Sequence, residues 1–459
     1  MEMATDQNAR PGDVVAVDHR AILDVHQNAA VESVSNERRP IRLVVRDDDL
    51  RRSRLTVFFR FFLAIPHLVW VTLWGIAASV VAFILWLAVL IEAKAPESLH
   101  DFVAGYVRYA THVSAYLFIA ANPYPDFRGA PGYPIDVEID PPVRQSRWTG
   151  FFRLILALPA LLLGGALGSG FALGGSGGMA YGVALLVGGA GVGAAAAFLA
   201  WFVAVARGRT SRGLRDLTAF VLGYGAEAAG YFMLLTPRYP SSDPALAEPY
   251  ARLPHHPVRI VVTDDLGRPR LTTFFRWLLA IPHLLWLTLW SVLAMLAVIA
   301  AWFAALVIGR VPSTLHRFLA AFVRYSVHVS SFLYVIGRRF PGFTGRAGSY
   351  GVDIEIDPPE RQRRLSILFR VLLAIPALLL SGTLSGVVLF VAFLGWWYAL
   401  FRGRMPEGLR NLCAACLRYS AQATSYLFLL TDRYPYAAPI LVEARERTEP
   451  PAPVVGDAF

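Results

Sequence analysis

Lysine is almost missing from this chain: Lys94 stands alone, so the formal charge of +10 rests nearly wholly on arginine. Charge of either sign is scarce as well, at 17% of 459 residues, below the roughly 25% of an ordinary soluble domain. That shortage excludes a conventional soluble multidomain protein. In so apolar a chain, a basic excess points first to anionic headgroups and to membrane topology. Nucleic acid is not an expected partner, because no polar segment interleaves a basic cluster with exposed aromatics. Cysteine is confined to Cys413 and Cys416, which excludes a disulfide framework. Their C-x-x-C spacing lies in an apolar helical stretch that offers no two further ligands, so they read as small core residues, not half a zinc site. The N-terminus lacks an apolar leader, and no cleaved signal peptide is expected. No Ser-His-Asp, H-E-x-x-H or Walker-type pattern occurs. No catalytic residue, metal site or cofactor is therefore assigned.

What the chain does have is long apolar runs and a repeated phrase. Mean hydropathy is +0.48, and several runs exceed the roughly 20 residues that cross a hydrocarbon core. The phrase is clearest from Leu55 to Trp74 and returns from Leu271 to Trp290, with 15 of 20 positions identical and a spacing of 216 residues. Shorter copies run from Phe151-Phe152-Arg153 to Leu158-Pro159 and from Leu368-Phe369-Arg370 to Ile375-Pro376. Each predicts a short amphipathic helix that stops at its proline, since Pro66 disfavours the helical conformation at Ile65 and has no amide to donate. Arg60, Arg153, Arg276 and Arg370 are expected to reach lipid headgroups. A 25-residue apolar run then extends from His67 to Ile91, with Trp70 and Trp74 at its interfacial end.

Before each phrase lies a short alternating segment that reads as a half-buried strand. The first and third, Ile41 to Asp47 and Val258 to Asp264, carry Arg42, Arg46 and Arg259 outward. Ile135 to Asp140 and Val352 to Asp357 carry Asp136, Glu138, Asp140, Asp353, Glu355 and Asp357 instead. Opposite charges across a strand pair stabilise it, so basic strands should pair with acidic ones. Asp47-Asp48-Asp49 and Asp264-Asp265 read as turn residues at strand ends. After each apolar run comes a second helix, from Leu99 to Ala121 in the first copy. The fold class that follows is an α-helical polytopic membrane protein with a small β component: four repeats of strand plus two membrane helices, about eight spans. The units are 40–126, 127–241, 242–342 and 343–435, between polar, disordered ends at 1–39 and 436–459. Two spans per unit return the chain to its starting face, which predicts parallel repeats with all strands on one side, as one small sheet. The second unit also holds a Gly-rich insertion between Leu161 and Ala200, read as a loop at the membrane edge. The arginine balance favours a cytoplasmic strand side.

The Phe-Phe-Arg…Ile-Pro-His phrase, the Arg-Tyr pairs such as Arg108-Tyr109, and the closing Arg238-Tyr239-Pro240 and Arg433-Tyr434-Pro435 resemble an uncharacterised bacterial membrane family, domain of unknown function 4389. The resemblance covers roughly 40–435. It implies a bacterial membrane location, which with the spans read above makes a multi-pass protein of the cytoplasmic membrane the expectation, and it supplies no activity, substrate or catalytic residue. The second copy departs most, with Gly223 where the others have Arg108, Arg324 and Arg418.

Polar residues concentrate on one side of the second helices. At 100° per residue, His100, Asp101, Arg108, Thr111 and His112 share a sector of about 120°. His316, Arg317, Arg324 and His328 repeat the pattern, and Arg418 belongs to the fourth copy. A lipid-facing charge at mid-helix costs at least ~2.5 kcal/mol, so this stripe should face inward, snorkel, or belong to a helix lying in the interface. Three readings follow. The favoured one is structural: these side chains bind carbonyls, strand carboxylates or lipid headgroups and fix the packing. In the second they line a path for a lipid or an anionic solute. In the third, His67, His100, His112, His283, His316 and His328 ligate a metal or haem. His100 and His112, about 18 Å apart along one helix, cannot share an ion.

Overall fold

The computed structural model of the protein describes residues 39–46, 49–168, 191–244 and 256–440. The chain divides at Pro40, and the unit that begins at Ile41 contains every element below. Its first helix, α1 (Arg54–Glu92), starts where Ser53 accepts a hydrogen bond from the Thr56 amide and ends at Ala93, which is left-handed. Ser is a favoured N-cap because its hydroxyl satisfies an otherwise unpaired helical amide. Val57, Arg60, Ala64, His67, Val71, Gly75 and Ala78 form a buried stripe with steps of three and four residues, the spacing of one helical face. Most of the remaining surface is apolar and exposed, including Phe61, Val69, Leu73, Val80 and Phe83.

Pro66 does not end this helix. It lies inside α1, where it removes one backbone hydrogen bond, to the Phe62 carbonyl four residues before it; the Tyr124 hydroxyl donates to the next carbonyl, that of Leu63, 3.2 Å away. Pro159, Pro282 and Pro376 are likewise internal to helices. Among the described residues, three long helices are instead interrupted at the phenylalanine before Arg153, Arg276 and Arg370. The break separates α3 (Arg147–Phe151) from α4 (Arg153–Leu167), α7 (Arg270–Phe274) from α8 (Arg276–Ile308), and α10 (Arg364–Leu368) from α11 (Arg370–Arg402). Helix α4 persists to Leu167, and α5 (Val192–Arg207) follows. The Gly-rich residues 169–190 lie outside the described residues, as do Asp47 and Asp48.

Among the described residues, four helices of 21 residues each complete the helical set: α2 (Glu97–Leu117), α6 (Arg212–Phe232), α9 (Ser313–Leu333) and α12 (Glu407–Leu427). Each is followed two residues on by a non-glycine residue at positive φ: Ile119, Leu234, Val335 and Leu429. A left-handed conformation costs a side-chain-bearing residue about 1–2 kcal/mol, so something must hold these four turns in place.

The strands form two separate sheets, not one: β1 (Ile41–Val45) with β2 (Ile135–Ile139), and β3 (Val258–Val262) with β4 (Val352–Ile356). Both pairs are antiparallel, with Arg42 opposite Glu138 and Arg259 opposite Glu355. Basic strands therefore pair with acidic ones. Arg42 reaches Glu138 at 2.9 Å and Asp140 at 3.3 Å, and Arg259 reaches Asp357 at 2.9 Å.

Neighbouring long helices run antiparallel, which corrects the parallel arrangement. Arg54, at the start of α1, donates to the Ala206 carbonyl at the end of α5. Arg147, at the start of α3, donates to the Ile91 carbonyl at the end of α1. Arg270 to the Phe401 carbonyl and Arg364 to the Val307 carbonyl repeat both clasps in the other half. A sequence repeat is the same whether its copies point together or apart, so only these contacts reveal the direction. Three layers result: the sheets rest on the 21-residue helices, and those rest on the long helices. Among the described residues, three helices are long and apolar enough to cross a membrane: α1, α8 and α11. The 21-residue helices, expected as spans, are not among them, because they carry the polar stripe.

Candidate functional site

The four phrase arginines do not point outward to headgroups. Arg60, Arg153, Arg276 and Arg370 are each no more than 2% exposed, and each lies over an aromatic ring at the end of a 21-residue helix: Tyr116, Tyr231, Phe332 and Tyr426. Their guanidiniums bind the carbonyls that such a helix leaves unpaired at its C-terminus, where the macrodipole is negative. Arg60 donates to the Tyr116 and Ala121 carbonyls at 2.9 and 3.0 Å. Arg276 does the same to Phe332 and Gly337 at 2.7 and 3.0 Å. Arg153 reaches the Thr236 carbonyl and the Gln145 side chain, and Arg370 reaches Thr431, Gln362 and Asp432. These bonds are what hold the four left-handed turns.

The histidine of the phrase has an equally local role. His67 Nδ1 lies 2.6 Å from the Tyr109 hydroxyl, and His283 Nδ1 lies 2.7 Å from that of Tyr325. Both rings are fully buried and stack on Phe127 and Phe343. The Ile-Pro-His phrase and the Arg-Tyr pair are thus two sides of one contact between a long helix and a 21-residue helix.

The stripe residues divide into three sets of partners. His112 Nε2 lies 2.9 Å from Asp136 Oδ1, and His328 Nε2 lies 3.0 Å from Asp353 Oδ1. Arg108 donates to the Val137 carbonyl and Arg324 to that of Ile354, both at 3.1 Å. Each aspartate also accepts from its own strand and the preceding turn: Asp136 from Gly132 and Val137, Asp353 from Gly348 and Ile354. Burial disfavours the ionised carboxyls, but the hydrogen bonds from His112 and Gly132, and from His328 and Gly348, outweigh it and hold both below the ordinary carboxylate range. The clusters pin β2 to α2 and β4 to α9. At about 1% exposure for His112 and Asp136, the first of them has no room for a substrate.

His100 and His316 sit elsewhere, at the starts of α2 and α9, each 3.3 Å from the carbonyl of Leu235 or Leu430 just beyond the neighbouring helix. Arg418 binds the Tyr436 and Ala438 carbonyls. Arg108, Arg324 and Arg418 therefore have three separate sets of partners, with no atom in common. At Gly223, the position without an arginine, an added Cβ would meet the Leu43 side chain at 3.3 Å. Cys413 and Cys416 are buried free thiols in α12. Among the described residues, no group of three or more His, Cys, Asp or Glu side chains is placed to hold a metal ion.

Sequence reasoning missed Asp136, which is buried, and Asp353, which is largely so, as anchors, together with Tyr109, Tyr325, Gln145 and Gln362. The signal was available in their recurrence: Asp136 and Asp353 repeat with the same spacing as Gln145 and Gln362, 217 residues.

Comparison with known proteins adds one match. A family model described as a domain of unknown function (DUF4389) matches residues 54–128, 270–344 and 364–438. These segments begin at the starts of α1, α7 and α10 and run through the 21-residue helix that follows. No curated protein and no solved structure matches the chain.

Proposed function

The chain carries three copies of a domain of unknown function (DUF4389), and on this premise we propose a structural, lipid-interacting role in a membrane, without catalysis. The observation that carries the reading is the division of labour between the two helix types. The long helices expose apolar side chains over most of their surface, as at Phe61, Leu285 and Val371. The arginines and histidines, which a catalyst or a pore would present to its substrate, are spent on carbonyls and carboxylates of the same chain. Four strand–helix–helix units, the unmatched second one included, make up the body. Its partners are membrane lipids, with anionic headgroups favoured by the arginine excess. A bacterial cytoplasmic membrane, with the strand layer toward the cytoplasm, fits the positive-inside rule.

Fractionation tests this directly. After expression in a bacterium, the protein should stay with the membrane through high salt and alkaline carbonate, leave it only with detergent, and carry bound phospholipid when purified. Recovery in the soluble fraction without detergent would sink the reading.

A further inference from the structure

Polarity in this molecule changes across the layers and not along the long helices. The strand layer is charged: Arg42, Arg46, Glu138 and Asp140 are 30–44% exposed in their side chains. It covers the middle of the 21-residue helices, since Arg108, at mid-α2, bonds the Val137 carbonyl of β2. On the opposite side of those helices, the long helices present the apolar face. A second observation concerns the loop after α2. It runs beside α1 at Trp70, whose indole donates to the Phe127 carbonyl at 3.0 Å, and its Asp126 and Arg128 are exposed. Trp286 and the Phe343 carbonyl repeat the contact, with Arg346 exposed nearby.

These positions conflict with an upright helix. Helix α1 is about 58 Å long, and Trp70 lies about 24 Å from its start. A hydrocarbon core of about 30 Å over the first half of α1 would take in Asp126 and Arg128, and one over the second half would take in the charged strand layer where it crosses α6 at Gly223, because the neighbouring long helix runs the other way; ionised groups are strongly unfavourable at either depth. Turning the layer flat removes the conflict. Every charged loop and strand then faces water, and the tryptophans that flank the long helices fall at the interface, which their amphipathic rings favour.

We propose that α1, α8 and α11 lie in the plane of the membrane, sunk with their exposed apolar faces among the acyl chains of one leaflet, and that the strand layer stands in water on the same side. This geometry rests on the membrane reading above and makes the attachment monotopic. A helix long enough to span is here laid flat because the partner of its remaining circumference is polar.

Sidedness of thiol labelling decides it. With Cys413 and Cys416 replaced by alanine, single variants Ser53→Cys, Lys94→Cys and Glu138→Cys are treated with an impermeant maleimide in spheroplasts and in inverted vesicles. The proposal expects all three to label from one side only, with at least tenfold less from the other. A Val80→Cys variant carrying a polarity-sensitive fluorophore should be quenched by lipid-borne nitroxides, and an equivalent label at Glu138 should not. Labelling of Ser53→Cys and Lys94→Cys from opposite sides overturns the flat geometry and leaves the membrane reading intact. A wild-type protein that is soluble without lipid as a defined dimer would show a second copy covering the apolar face, and would overturn both.

Discussion

The turns that follow the four 21-residue helices solve one problem in two ways. After α2 and α9, two arginines of the same unit hold the free carbonyls: Arg60 with Arg52, whose guanidinium reaches Ala120 at 2.9 Å, and Arg276 with Arg268, which binds Val335 and Ile336. After α6 and α12, one arginine suffices. Gln145 and Gln362 replace the second, each donating to a turn carbonyl (Leu234 or Leu429) and accepting from Arg153 or Arg370. The remaining contact comes from across the helix pair, as His100 to Leu235 and His316 to Leu430. The difference explains a pattern that composition alone leaves puzzling. These histidines occur at the starts of α2 and α9 and give way to Arg215 and Arg410 at the starts of α6 and α12, because only the turns after α6 and α12 lack a second arginine. A polar residue on an apolar helix is read best through the carbonyl it serves.

The sharpest way to break the comparison is to remove an arginine of each kind. Arg276→Leu strips two carbonyls of a buried donor and should cost about 3–5 kcal/mol. Arg370→Leu frees one carbonyl, that of Thr431, instead of two, leaves Gln362 and His316 on the same turn, and should cost less, about 2–3 kcal/mol. Thermal unfolding in a mild detergent would show the order, and equal losses would mean that the two kinds of turn are not held differently.

The strand clusters come next. Asp136→Asn keeps the shape of the carboxyl but removes the charge that meets His112, and should cost about 1–3 kcal/mol. Asp353→Asn should behave alike. Both carboxyls titrate below their unfolded range, so their contribution is present above the unfolded value near 3.9 and is lost as pH falls through the lower folded values. Unfolding temperature should therefore drop below about pH 4 in the wild type. The Asp136→Asn/Asp353→Asn double variant, weaker throughout, should show a much flatter acid limb.

Smaller effects sharpen the same contrast. His316→Phe removes the contact from across the helix pair and should cost about 1 kcal/mol. Tyr325→Phe, which leaves His283 without its hydroxyl partner, should cost about 1–2 kcal/mol. Both can be read from denaturant midpoints. A His316→Phe loss as large as that of Arg370→Leu would make the histidine, and not the arginine, the principal support of that turn.

Much of this was legible in the sequence, and the reasons it stops are physical. The 15-of-20 phrase marked the long helices, and the opposite charges of Arg42 and Glu138 foretold the strand partners. The direction of Arg60 was not legible. An arginine at the edge of an apolar run serves equally well at a headgroup or on a carbonyl, and its acceptor at Tyr116 lies 56 residues away. Pro66 misled because a proline removes a single helical hydrogen bond, which a helix held on both sides of it by the buried stripe from Val57 to Ala78 tolerates. The antiparallel relation of neighbouring units was invisible for a different reason: a repeated sequence carries no record of its orientation.

The central claim is that the polar side chains of the 21-residue helices form an internal framework and do not line a water-filled path. Thiol reactivity in the native membrane tests it most directly. Cys413 and Cys416 are buried in α12, and a Thr111→Cys variant places a third thiol within the stripe of α2, where Thr111 is fully buried. A small, membrane-permeant maleimide should leave all three unmodified until denaturant is added, while Glu355→Cys on β4 reacts within minutes. Rapid modification of Thr111→Cys or of either native cysteine in the folded protein would mean that water reaches the stripe, and the framework account would be wrong.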